Sequence, residues 1–245
     1  MSADPYILMY HAVTEAVGPE ADPFQICVSP ERLDQQLRWL TRRGLRGVSV
    51  RELLAAEDRR RLVGLTFDDG YVDFHTNALP ILRRHGFTAS VYAVVDRIGA
   101  DNGWEEYGPQ RLLMDAAQLR DCAAAGMEIG SHGLRHVRMS GAGAALQAAE
   151  IGESRERLHD LLGEPIDGYC YSYGDLDDHA VATVRAAGYD YGCAIWRGAN
   201  TGRYALPRTY VGARDTAWRL LAKQYRARLR GGPVPLAKAP TEVVA

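Results

Sequence analysis

Apolar runs alternate with helical patterns along almost the whole chain, and this alternation limits the fold more than any other feature. Residues 7–13 read as a strand, and Ser29-Pro30-Glu31 reads as a helix start with Ser29 as N-cap and Pro30 in the first turn. Leu33, Leu37 and Leu40 then recur at helical spacing before Gly44. Residues 63–67 form a second strand-like run, and 72–85 are helical with an interruption expected at Pro80 and a C-cap at Gly86. Strands over 89–95, 127–130, 166–171, 189–195 and 205–207 follow, with helices over 116–125, 142–162, 177–187 and 215–229. Strand then helix, repeated, is the signature of parallel βα units. About seven such units favour a (β/α) barrel over an open parallel sheet, and in both the functional groups collect at the C-terminal strand ends. The pattern predicts a single domain over residues 1–230, with a disordered Gly- and Pro-rich tail at 231–245.

Composition excludes some partners. The 245 residues carry a net charge of -2, which gives no general pull on nucleic acid. No apolar run approaches the roughly 18 residues of a membrane span. The N-terminus lacks the basic and apolar regions of a signal peptide, so a cytoplasmic location is expected. The four cysteines form no C-x-x-C pair and read as buried free thiols.

Polar residues gather where the strands end. His11 follows the first strand, and Asp68 and Asp69 follow the second in the stretch LTFDDGY. His132 and His136 follow the 127–130 strand, Tyr173 follows the 166–171 strand, and Arg208 stands near the last. Two adjacent carboxylates beside a buried strand repel and are costly to desolvate. On a helical turn, histidines four apart share a face. With one carboxylate they make an N, N, O set suited to zinc, cobalt or nickel. A divalent cation would offset one negative charge and lower the pKa of bound water, leaving the second aspartate as general base.

The motifs TFDDG (66–70), SHGLRH (131–136), YCYSYG (169–174) and LPR (206–208), with ILMYH at 7–11, resemble those of NodB-type polysaccharide deacetylases, carbohydrate esterase family four. The resemblance spans about residues 6–212. It implies a distorted (β/α) barrel of seven or eight strands, the NodB homology domain, and metal-dependent removal of an N-acetyl or O-acetyl group, most often from N-acetylglucosamine. By position, Asp68 resembles the catalytic base, and Asp69, His132 and His136 resemble the ligands of one divalent metal, zinc first. The Tyr173 backbone N–H is a candidate oxyanion donor, and Trp196, with Trp104 and Tyr107, a candidate sugar platform. The chain departs from the family pattern at four places. The arginine that many relatives place before the third motif is missing, which makes Arg208 the candidate partner of Asp68. Ser172 stands where proline is usual, and Gly133 where Ser or Thr is usual. The late histidine acid has no counterpart, which leaves His11 as a candidate acid. The expected substrate is an N-acetylated sugar, a lipid-linked sugar or a glycosylated metabolite. Hydrolysis of another C–N bond, such as a formamide or cyclic amide, and a non-catalytic sugar-binding barrel are the alternatives.

Overall fold

A computed structural model of the chain describes residues 4–15, 20–229 and 234–236. Eight strands form one parallel sheet in the order β7-β6-β5-β4-β3-β1-β8, with β2 beside β3. They are β1 (Ile7–Tyr10), β2 (Arg46–Val48), β3 (Leu62–Phe67), β4 (Ser90–Ala93), β5 (Glu128–Ser131), β6 (Gly168–Cys170), β7 (Tyr191–Cys193) and β8 (Thr209–Tyr210). The segment 205–210 closes the sheet into a barrel. Its first half bonds to β7, through Ala194 N–H to the Leu206 carbonyl (2.8 Å) and Leu206 N–H to the Gly192 carbonyl (2.8 Å). Its second half, β8, pairs with β1 at Leu8–Thr209 and Met9–Tyr210. The distortion lies at β3. One edge of β3 meets β1, while the other is shared between β2 along its first half and β4 along its second.

Helices cover the outside. The first, α1 (Pro30–Arg42), starts as its sequence dictates: the Ser29 side chain accepts from Arg32 N–H, and Leu33, Leu37 and Leu40 are buried. A π-helical turn, Phe74–Ala78, precedes α3 (Leu79–His85), so the interruption expected at Pro80 falls just before it. A capping box of Asp115 and Gln118 starts α4 (Ala116–Ala124). The helix expected over 142–162 divides into α5 (Ala144–Ala148), a π-helical turn at Ala149–Glu153, and α6 (Ser154–Leu162). Last come α7 (Asp178–Ala186) and α8 (Ala217–Leu229).

The unit of β2 with α2 (Val50–Ala55) is absent from the expectations above, because three strand residues and six helical ones give too short a period to read. It plugs the N-terminal end of the barrel. Val48, Val50, Leu53 and Leu54 pack with Tyr92, Tyr191 and Leu206 in an interior cluster distinct from the helix-facing core. Buried Glu128 accepts from Arg51 N–H at the start of α2 (3.0 Å) and from the Tyr191 hydroxyl (2.8 Å). Burial pushes its carboxyl upward, against the hydrogen bonds from Ser90, Arg51 and Tyr191. The tail expected from residue 231 falls outside the described residues except at 234–236. There Val234 is buried in the interior cluster, and its N–H donates to Asp4 Oδ1 (3.1 Å).

Strand parity sorts the side chains. Ile7, Tyr92, Cys170, Tyr191 and Cys193 belong to the interior cluster, while Leu8, Tyr10, Val91, Ala93 and Tyr169 belong to the core under the helices. Two tyrosines fit inside because glycines stand beside them on the next strand. Tyr92 pairs with Gly130, and Tyr191 with Gly168. A Cβ on Gly168 would overlap the Tyr191 hydroxyl. Gly168→Ala should therefore destabilise the fold by about 1–3 kcal/mol through overpacking, measured by denaturant unfolding.

Candidate active site

The same parity builds the site. Residues 64, 66 and 68 face inward along β3 and beyond it, as do 128, 130 and 132 on β5 and 206, 208 and 210 on the closing segment. Asp68, His132 and Arg208 therefore converge at the C-terminal mouth. There a cleft of about 680 Å³ opens, lined by His11, Asp68, Asp69, His132, His136 and Tyr173 among others.

Backbone conformation separates the adjacent aspartates. Asp69 has φ 72°, in the left-handed region that an aspartate tolerates better than most residues, and Gly70 has φ 75°. Asp68 faces Arg208 in a two-pronged ion pair, with Oδ1 to Nη1 at 2.6 Å and Oδ2 to Nη2 at 2.8 Å. The guanidinium is fully used. It also donates to the Ala194 carbonyl (3.0 Å), Thr66 Oγ1 (3.0 Å) and Cys170 Sγ (3.1 Å). Burial alone would raise the Asp68 carboxyl, but the charge and hydrogen bonds of Arg208 outweigh it and hold the group below the usual carboxylate range. With its folded value depressed, the pair stabilises the fold above the unfolded carboxylate pKa. That contribution is lost as pH falls through the folded value.

Asp69 faces the histidines. Its Oδ1 stands 3.4 Å from His132 Nε2 and 3.3 Å from His136 Nε2. This oxygen is buried without a hydrogen bond. Burial opposes its charge, yet the two imidazoles hold its carboxyl well below the ordinary range. His132 Nδ1 lies 2.7 Å from the Cys170 carbonyl, so Nδ1–H donates there and Nε2 keeps its lone pair for the mouth. Two imidazole nitrogens and one orphaned carboxylate oxygen within 4.8 Å fit a divalent cation. A second trio, Asp68, His132 and Cys170, is equally close-set. Its aspartate is already engaged by Arg208, and burial pushes its thiol well above the usual range.

The histidines do not share a helical face. Residues 132–136 form a loop in which Gly133 (φ 82°) and His136 (φ 62°) are left-handed, and the two rings meet edge to face at 4.9 Å. The loop hangs on Glu150, a fully buried acid that sequence reasoning missed. Its Oε2 accepts from Leu134 N–H (2.8 Å) and Arg135 N–H (3.0 Å), and its Oε1 from Arg135 Nε (2.8 Å). A Cβ on Gly133 would press on this carboxylate at 3.1 Å, which gives glycine at that position a second reason. The available signal was a charge on the buried stripe 147, 150, 151, 154 and 158 of a helix.

Around this centre, Trp104 stacks on His136 (4.5 Å, 27°), so its ring supports a candidate ligand while also lining the cleft. Tyr173 (φ 59°) also meets His136, edge to face at 4.5 Å, with Arg138 over its ring at 4.2 Å. His11 Nε2 stands 3.9 Å from Asp68 Oδ2. Trp196 and Tyr107 stand at the mouth, 75% and 74% exposed.

Acids, imidazoles and a candidate cation site at the C-terminal mouth of a parallel barrel are an arrangement suited to hydrolysis. The polysaccharide deacetylase profile matches residues 55–192, more than half of the chain, and the chain belongs to that family, a group of hydrolases of non-peptide C–N bonds. It is similar to the Bacillus subtilis protein YxkH, with 24% identity over 213 residues covering 84% of this chain and 70% of that one. It is also similar to the Staphylococcus aureus poly-β-1,6-N-acetyl-D-glucosamine N-deacetylase, 22% identical over 214 residues, 81% of this chain and 71% of that one. The fold superposes on the Streptococcus pyogenes deacetylase PplD in complex with acetate with a TM-score of 0.77 at 23% identity, covering 91% of this chain and 99% of that one.

The anchoring of the histidine loop gives a test. Glu150→Gln should weaken divalent-cation binding about 10–100-fold while the far-UV spectrum is kept, read by competition with a chromogenic chelator.

Proposed function

We propose that this protein removes N-acetyl groups from a glycan or glycoconjugate containing N-acetylated hexosamine. One observation carries this reading. Two adjacent carboxylates are driven into different environments, Asp69 toward two imidazole nitrogens and Asp68 into a two-pronged pair with Arg208. That division matches the two tasks of an amide hydrolase, holding an electrophilic cation and taking a proton. The name of the Staphylococcus aureus relative supports poly-N-acetylglucosamine as the substrate class.

Asp69, His132 and His136 would hold one divalent cation, and the N, N, O set suits zinc first, with cobalt or nickel as alternatives. A cation held there would supply Lewis acidity toward water and the acetyl carbonyl. Asp68 is the general base, and Arg208 keeps it ionised when substrate closes off solvent. The Tyr173 backbone N–H is the candidate donor to the developing oxyanion, since Tyr173 lines the cleft. His11, in the cleft wall 3.9 Å from Asp68, is the candidate acid that delivers a proton to the leaving amine. Trp196 offers a sugar ring an exposed aromatic face.

Asp68→Asn should lower deacetylation of chitooligosaccharides by about 10²–10⁴-fold while zinc stoichiometry is unchanged, measured by amine release and metal analysis on the same sample. Loss of zinc with activity would reverse the roles of the two aspartates. Arg208→Met removes the cation and leaves burial to act on Asp68 alone. The acidic limb of the pH–rate profile should then move to higher pH, and the fold should lose about 3–5 kcal/mol.

A further inference from the structure

The last helix carries a face that the barrel does not use. Leu220 and Gln224 of α8 are buried, while Trp218, Tyr225 and Leu229 are 79%, 64% and 71% exposed. At helical geometry these three fall within about 40° of one another, roughly opposite Leu220. Exposed Ala222 continues the stripe. A contiguous Trp, Tyr and Leu stripe facing water marks an interaction surface. Arg219 and Arg226 stand about 90° around the helix from it, along one flank. Residues 216–240 contain six Lys and Arg and no Asp or Glu, although the chain as a whole is at -2. Positive charge is therefore gathered on the segment that carries the apolar stripe.

We propose that α8 docks the protein on the surface of an anionic lipid bilayer, with the stripe entering the headgroup region and the arginines facing lipid phosphates. An apolar stripe flanked by cations is the pattern of helices that lie in the interface plane. At 13 residues α8 is too short to span a bilayer, which takes about 20. An antiparallel two-fold contact with a second copy would bring flanking arginines against arginines, and a nucleic acid would leave the apolar stripe without a partner. The helix is tied to the cleft wall. Lys223 Nζ donates to the Tyr210 carbonyl (2.7 Å) and to Asp215 Oδ2 (2.6 Å), and Tyr210 lines the cleft. Because α8 begins just beyond β8, its Trp218 end lies at the mouth end of the barrel. Docking thus brings the cleft to the lipid surface, where a membrane-borne glycan would be presented.

The test is flotation of the purified protein with phosphatidylcholine vesicles, with and without phosphatidylglycerol, at low and high salt. Binding is expected to the anionic vesicles only and to weaken with salt. The triple variant Trp218→Ser, Tyr225→Ser, Leu229→Ser and, separately, Arg219→Glu with Arg226→Glu should each reduce it about tenfold or more, with thermal stability unchanged. Leu112→Ser, which removes an exposed apolar side chain elsewhere, should bind as wild type. Absence of binding to anionic vesicles, binding that survives both sets of changes, or concentration-dependent dimerisation abolished by the same changes would each overturn the proposal. Deacetylase activity is not read in this assay, so its outcome is independent of the proposed chemistry.

Discussion

The buried ion pair between Asp68 and Arg208 is the contact on which the mouth of the barrel depends. An isolated carboxylate buried this deeply would take up a proton, and an isolated guanidinium would not be buried. Each makes the other tolerable, and the remaining donors of Arg208 are spent on Thr66, Cys170 and the Ala194 carbonyl. The arginine therefore ties together β3, β6 and the stretch after β7. Its own segment, 205–210, closes the ring between β7 and β1. Closing the barrel and charging Asp68 are consequences of the same short stretch of chain.

Cys170 shows how closely the two halves of the site are joined. Its thiol sits beside the guanidinium and 3.7 Å from Asp68 Oδ2, while its carbonyl fixes the tautomer of His132. The histidine loop is held from the other side by Glu150, which a π-helical turn carries into the layer between helix and sheet. Three carboxylates are used in three ways here: Asp68 is paired with Arg208, Asp69 faces imidazoles, and Glu150 is shared between two backbone N–H groups and the Arg135 guanidinium. Only the second is left with an unsatisfied oxygen, and that oxygen is the one proposed to face a cation.

Much of this was legible in the sequence, for physical reasons that differ from residue to residue. Hydrophobic period revealed the parallel units, and the Ser29 and Gly86 caps sit where cap chemistry puts them. Asp68, Asp69, His132, His136 and Arg208 were recognisable because each follows a strand. Inward parity, counted from Gly64, Glu128 and Leu206, would have shown without any resemblance that Asp68, His132 and Arg208 converge. The loop geometry was not legible. A left-handed aspartate and histidine are set by tertiary contacts that no local preference announces. Neither was α2, too short for a periodic signal; of the closing segment the 205–207 portion was legible as a strand, but not the 209–210 portion, which bonds to a different neighbour.

The account rests on a single cation position among four polar side chains set within a few ångströms. Crystals soaked in zinc and measured at the zinc absorption edge would locate it directly. One anomalous peak is expected between Asp69 Oδ1, His132 Nε2 and His136 Nε2, with Asp68 still paired to Arg208. A peak on Asp68 or Cys170, or an Arg208 side chain displaced from Asp68 once the metal is bound, would contradict it.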